Sequence, residues 1–405
     1  MIYPADMAAT PLAVVNCLLP DGSSSSLRLQ DGVVVSVGGT PEPGDRVLDA
    51  DGRLVLPAHA EAHAHLDKAF LAEIVPNPTG DLMGAINSLE ENWHLITRAD
   101  TEVRAERAAR LIAAQGATYI RTHADLTASN GTESVEALIA VRERLRDVVT
   151  IEVVALCDFP FAGPAGANAR ALLRDAVALG VDLVGGCPHL EDDFVAANEA
   201  YLSAAAEAGL PLDLHTDETL DPAKSSLDDL AERVAASGFP HHVTASHCVS
   251  LSMQTPREQD RIAELVAAAN ISVVALPSSN LFLQGRDHHQ ATPRGITAVK
   301  ALQRAGVNVA AGWDNLQDPF NPMGRGDCFE TAGLMVMAGH QLPDEALHSI
   351  TNATRRAAGL ADAGPWVGAA ADLLLVRART VREAIAFAPA DRIVIRNGKP
   401  VAPIS

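Results

Sequence analysis

Eight short apolar runs, separated by longer stretches of helical periodicity, constrain this chain more than any other feature. The runs are Leu54–His63, Thr118–His123, Ile151–Cys157, Val181–Cys187, Leu210–His215, His242–Cys248, Ile271–Pro277 and Val307–Trp313. Each is rich in Val, Ile, Leu or Ala, and each is short enough to be a strand buried on both faces. The helical stretches are Thr101–Gln115, Ser134–Arg146, Ala169–Ala178, Ala197–Ala208, Ser226–Ala236, Pro256–Ala269 and Thr297–Ala305. In the first of them Val103, Ala108, Leu111 and Ile112 fall on one face. Gly116, Gly180, Gly209 and Gly306 stand just before the next run, where a helix stop is expected. Such an alternation predicts an α/β fold, a parallel (β/α)8 TIM barrel. An open doubly wound sheet is the competitor. It usually has fewer strands, and it would not gather the ends of strands one, five, six and eight around one centre.

The flanks follow another pattern. Leu27–Gly32 then Val33–Val35, and Ala371–Val376 then Arg392–Gly398, are short runs broken by turn residues, and Asn397-Gly398 is a strong hairpin signal. Ser23–Ser26 reads as a hairpin tip. The expected division is a small β domain from residues 1–56 plus 366–405, beside a barrel of residues 57–365.

Fifty-one acidic against 31 basic side chains give a formal net charge of −20, so nucleic acid and anionic lipid would be repelled. Met1–Leu19 lacks the pattern of a secretory signal, and no run of 18 apolar residues suggests a membrane span. Cys17, Cys157, Cys187, Cys248 and Cys328 are odd in number and scattered, as suits reduced thiols in the cytoplasm. A small-molecule substrate is the expected partner, and assembly into a homo-oligomer is left open.

The strongest chemical feature is His63-Ala64-His65 at the end of the first barrel run. Alternation along a strand puts residues i and i+2 on one face, so both imidazoles can address one ion. An HxH alone is equally consistent with two ordinary loop histidines. His59, four residues earlier, would sit deeper or on the other side. Position adds weight, because barrel active sites lie at the carboxyl ends of strands. His215 closes the fifth run, His247 the sixth and Asp314 the eighth. Histidines plus a carboxylate suit one divalent ion, Zn2+ or Fe2+, with a position left for water. Glu218, three residues past His215, can reach water at such an ion, and Asp217 competes with it on sequence grounds. Lys68 follows the HxH closely enough to touch a substrate, although a surface lysine is the commoner case.

Together with Arg121-Thr122-His123-Ala124-Asp125, Gly185-Gly186-Cys187-Pro188-His189, His215-Thr216-Asp217-Glu218, Val243–His247 and Gly312-Trp313-Asp314, these motifs resemble the amidohydrolase superfamily. Within it the resemblance is to the cytosine deaminase branch. It implies His63, His65, His215 and Asp314 as metal ligands, Glu218 as proton shuttle, and His247 as the group that polarises the attacking hydroxide. Asp314 would also take a proton from the nucleophilic water. Two-metal members usually bridge their ions with a carboxylated lysine on a middle strand. Val181–Cys187 contains no lysine, so one ion is expected.

The chain departs from that branch at the substrate wall. Asp158 stands where the branch has a glutamine, Asn315 where it has a second aspartate, and Trp313 where it has a histidine. These three and Lys68 are the expected substrate contacts, and cytosine is expected to be a poor substrate. The expected activity is deaminase-like attack of metal-activated water on a C–N bond of a nitrogen heterocycle. A cyclic amide or lactam hydrolase is the alternative, and a catalytically inactive binding barrel is a third reading.

Overall fold

The computed structural model describes residues 10–401; Met1–Ala9 and the last four residues of the expected β domain lie outside the described residues. Eight parallel strands form one sheet in sequential order: His59–Ala64, Ala117–Leu126, Thr150–Cys157, Leu183–Gly186, Leu212–Thr216, Val243–His247, Ser272–Ala275 and Val309–Ala311. Helices join successive strands on the outside, and the sheet closes where Ala64 bridges Asp314 in parallel. This is a (β/α)8 barrel.

A second sheet is built from both flanks of the chain. Its strand order is Lys399–Pro400, Arg392–Arg396, Leu373–Val376, Leu54–Pro57, Leu12–Leu18, Ser24–Gln30 and Val33–Val37, with Arg46–Asp49 paired to Leu12–Leu18. Leu12, Val14, Leu27, Leu29, Leu373 and Ile395 belong to its apolar core. Asn397 and Gly398 both take positive φ, 49° and 73°, as a tight hairpin turn demands. The serines expected at a hairpin tip instead enter a strand from Ser24 onward.

Two details correct the sequence reading. The run Leu54–His63 is two strands rather than one. Leu54–Pro57 pairs antiparallel with Leu373–Val376, whereas His59–Ala64 pairs with the second barrel strand. The change of sheet falls between Ala58, whose N–H donates to Asp372 O, and His59, whose N–H donates to Gly116 O. Val103 is not on a core face; it is 71% exposed. Helix Arg98–Ala114 buries Ala105, Ala108, Ala109 and Ile112 instead, with Arg104 donating inward to the carbonyls of Asp67 and Ala69.

Helix Leu82–Asn92, absent from the sequence reading, lies between the first strand and helix Arg98–Ala114. Asp81 caps it by accepting the Gly84 N–H. No described helix is long and apolar enough to cross a membrane.

Candidate metal centre and active site

His63 belongs to the first barrel strand, His65 follows it, and His215 and His247 belong to the fifth and sixth strands. Asp314 lies three residues past the eighth strand. Their burial is nearly complete. His63 Nε2 lies 3.3 Å from His65 Nε2 and 3.1 Å from His215 Nε2, and the latter two are 3.2 Å apart. Asp314 Oδ1 is 3.3 Å from His65 Nε2 and 3.6 Å from His63 Nε2. Four ligands about 2.0–2.1 Å from one ion in a tetrahedron stand roughly 3.3–3.4 Å apart, so the donor set fits a zinc-sized cation. Asp314 Oδ1 is buried with no hydrogen-bond partner, which such a cation would satisfy.

Electrostatics agree with that fit. Burial holds the pKa values of His63, His65 and His215 well below the ordinary imidazole value, which leaves neutral rings with lone pairs to give. Burial, with Asp318 nearby, pushes the Asp314 carboxyl up. An adjacent cation would reverse that shift.

Behind His63 a polar chain fixes the tautomer. Ser246 Oγ donates to Asp213 Oδ1 at 3.2 Å and lies 2.9 Å from His63 Nδ1. A hydroxyl that donates to a carboxylate accepts from the ring, so Nδ1 carries the proton and Nε2 faces the centre. Arg121, 2.9 Å from Asp213 Oδ2 and also paired with Glu152, holds the carboxylate in place.

The sequence assigns His123 no role, yet its ring centroid is 4.0 Å from that of His63. Ligand atoms of His63, His123 and His215 lie within 4.8 Å of one another. This set shares His63 with the set containing His65 and Asp314. His63 Nδ1 lies beside Ser246, which leaves its Nε2 as the atom it can offer to either set. A histidine near the carboxyl end of a barrel run was the overlooked signal. His59 lies apart, packed edge-on to Phe329 at 4.4 Å, and burial lowers its pKa to about 3.

Glu218 and Asp217 are separated by their surroundings. Asp217 accepts from Ser226 N and Oγ at 2.8 and 2.6 Å and from Leu227 N at 3.1 Å, capping helix Ser226–Ser237. Glu218 lines the cavity, and burial raises its pKa well above the usual carboxyl value. Asn280, on a helix the sequence reading missed (Pro277–Leu283), directs its amide nitrogen at Glu218 Oε1 and His247 Nδ1, 3.1 and 3.2 Å away. With Nδ1 accepting, His247 carries its proton on Nε2. Asp314 and His247 take positive φ, 73° and 68°, unusual for residues with a side chain and frequent where a site imposes strain.

A partly open cavity of about 110 Å3 lies above these groups. One wall is the missed helix, through Leu82, Ile86 and Leu89, with Trp93 beyond it and Phe320 and Phe159 on other sides. Lys68 lines the cavity, buried rather than on the surface, with Nζ 2.5 Å from Asp125 Oδ1. Asp158 also lines it, while its Oδ1 accepts the Phe159 N–H at 2.9 Å. Asn315 reaches the wall, but its amide nitrogen donates to Asp318 Oδ2 at 2.8 Å and its oxygen accepts from Ser279 at 3.1 Å. Trp313 does not line the cavity, contrary to expectation. Alternation along the chain turns its indole away from Asp314 into the main apolar core, where it is fully buried.

Residues 130–402 match a family described as the amidohydrolase family. The chain is 36% identical over 391 residues to a pterin deaminase of Rhizobium rhizogenes, covering 93% of this chain and 87% of that protein. The crystal structure of 5-methylcytosine deaminase from Klebsiella pneumoniae liganded with phosphonocytosine superposes with a TM-score of 0.87 at 30% identity, covering 96% of this chain and 97% of that one. N-isopropylammelide isopropylaminohydrolase from Burkholderia multivorans gives a TM-score of 0.82 at 30% identity, covering 97% and 98%.

Proposed function

Because this chain belongs to the amidohydrolase family, we propose that it is a metal-dependent aminohydrolase releasing ammonia or an amine from a small, flat nitrogen heterocycle. The observation that carries this reading is the convergence of four ligand atoms beside Glu218, Asn280 and His247, under a cavity lined by His65, His215, Asp314, Glu218 and His247. His63, His65, His215 and Asp314 would hold one Zn2+ or Fe2+. Such an ion supplies Lewis acidity, which lowers the pKa of water from about 16 toward about 7.

The chain's own residues divide the remaining work. Asp314 accepts a proton from the attacking water. His247, protonated on Nε2, donates a hydrogen bond to the oxygen that bonds to the ring carbon. Glu218, kept protonatable by its burial, takes up a proton released from the attacking oxygen and delivers it to the departing nitrogen as the exocyclic C–N bond breaks. Leu82, Ile86 and Leu89 offer an apolar face to the plane of the ring, and Asp158 accepts from an amino-bearing edge. An aminopterin fits this combination, as does an aminopyrimidine; the pterin deaminase relative favours the first. The five cysteines suit a cytoplasmic location, which cell fractionation would check.

The test is turnover by purified metal-loaded protein of pterin, 5-methylcytosine, cytosine and N-isopropylammelide, with released ammonia or amine quantified. We expect one ion per chain and ammonia equal to product with pterin. Ring opening without ammonia would favour the cyclic amide hydrolase. A folded protein that takes up no metal and turns over nothing would point to the binding barrel.

A further inference from the structure

The seam between the first and last barrel strands is not a regular ladder. The eighth strand stops at Ala311, and beyond its end Asp314 meets the first strand through an isolated bridge to Ala64. Across the gap, Asp314 N donates to His63 O at 3.1 Å and His65 N donates to Asp314 O at 3.2 Å. Two buried backbone donors, His63 N–H and Trp313 N–H, are left over, and buried donors of this kind must find an acceptor. Both find Glu61. Its Oε1 accepts from His63 N at 2.9 Å, and its Oε2 accepts from Trp313 N at 3.4 Å.

The Glu61 side chain is fully buried, in a space that exists only because residue 312 has no side chain. A Cβ on Gly312 would come within 2.3 Å of Glu61 Oε1. The two amides it accepts belong to His63 itself and to the residue before Asp314, whose φ of 73° needs support from its surroundings. One carboxylate thus ties together the backbones carrying ligands from opposite sides of the seam.

We propose that Glu61 is a positioning residue for the metal centre, setting the spacing of His63, His65 and Asp314 by clamping strands one and eight. This inference rests on the ligand assignment given above. Glutamine has nearly the shape of glutamate but only one acceptor oxygen, so its NH2 would face one of the two N–H donors. Supporting groups behind metal ligands typically contribute about 10–100-fold in metal affinity.

The experiment compares wild type, Glu61→Gln and Glu61→Asp by circular dichroism, Zn2+ affinity from chelator competition, and the visible absorption of the Co2+-loaded protein. We expect Glu61→Gln to retain a folded metal-free state, to bind Zn2+ about 10–100-fold more weakly, and to show altered Co2+ bands. Glu61→Asp keeps the carboxyl group but is one methylene shorter, and is expected to weaken binding similarly. Wild-type affinity together with an unchanged Co2+ spectrum in Glu61→Gln would overturn the proposal. Failure of both variants to fold would also overturn it, making Glu61 a requirement for barrel closure alone. A wild type that takes up no metal would remove the ligand assignment as well, which is a separate and recognisable result.

Discussion

Asn280 stands 3.1 Å from Glu218, and its amide hydrogens are shared between that carboxyl and the His247 ring. Its donation favours the ionised form of Glu218, in opposition to the burial that raises the Glu218 pKa. Removing the donor therefore pushes that pKa further up. If Glu218 must start ionised to collect a proton, the acid limb of kcat/KM moves to higher pH in Asn280→Ala. The His247 tautomer loses its restraint as well, so kcat should fall by about tenfold or more. A pH–rate profile of the variant checks both; an unmoved acid limb would separate Asn280 from Glu218 ionisation.

Glu218→Gln should retain its metal and lose about 10²–10⁴-fold in turnover, because an amide carries no transferable proton. Asp217→Ala should do the reverse. It removes a helix cap worth about 0.5–2 kcal/mol, visible in denaturant unfolding, while turnover per folded molecule changes little. Metal analysis and kinetics on the two variants decide the assignment, and equal kinetic losses would contradict it.

The contrast between those neighbours shows where the sequence was legible. Strand ends could be read because a parallel strand buried on both faces is an unbroken apolar run, and His63, His65, His215, His247 and Asp314 all sit at or just past such ends. Asp217 and Glu218 could not be told apart, since the difference is a helix start nine residues away in sequence. Asn280 was missed for a related reason. The helix that presents it has seven residues and begins at a proline, too short for its periodicity to register. Leu82, Ile86, Leu89 and Trp93 did carry helical spacing behind the Asp81 cap. That stretch precedes a longer helix within one strand-to-strand connection, where the barrel pattern requires only one.

His59 gives a test of stability that is independent of metal. Its folded pKa is depressed to about 3 by burial, against an ordinary value of 6.5. Between those values the unfolded chain binds a proton that the folded chain refuses. Stability is therefore present in full above pH 6.5 and is lost as pH falls toward 3. Neither ring nitrogen has a partner, so leucine removes no hydrogen bond. Relative to wild type, His59→Leu should flatten the fall by about 1.4 kcal/mol per pH unit through that window. Urea unfolding from pH 4 to pH 7 measures the difference; parallel curves would mean that His59 is charged, or is hydrated, in the folded chain.

Asp158 provides the sharpest test of substrate class. Exchanging both wall positions toward the cytosine deaminase pattern, Asp158→Gln with Asn315→Asp, is the natural design from sequence. The structure argues against the second change. Asn315 donates to Asp318 Oδ2 at 2.8 Å, and an aspartate there would set two buried carboxylates against each other. Asn315→Asp is expected to cost stability on the order of 1–3 kcal/mol, without improving any substrate. Asp158→Gln alone is the informative variant. An ionised aspartate only accepts, whereas glutamine both donates and accepts, so a ring carbonyl becomes tolerable and an amino edge loses a charged partner. Hydrogen bonds to charged groups are worth about 1.5–3 kcal/mol, so kcat/KM for an amino-edged substrate should drop roughly 10–150-fold. Cytosine should gain relative to it. The Phe159 N–H that Asp158 accepts is a local contact that either side chain can make, so a folding defect is not the expected cause. Unchanged ratios between pterin and cytosine in Asp158→Gln would show that Asp158 serves only to shape its turn.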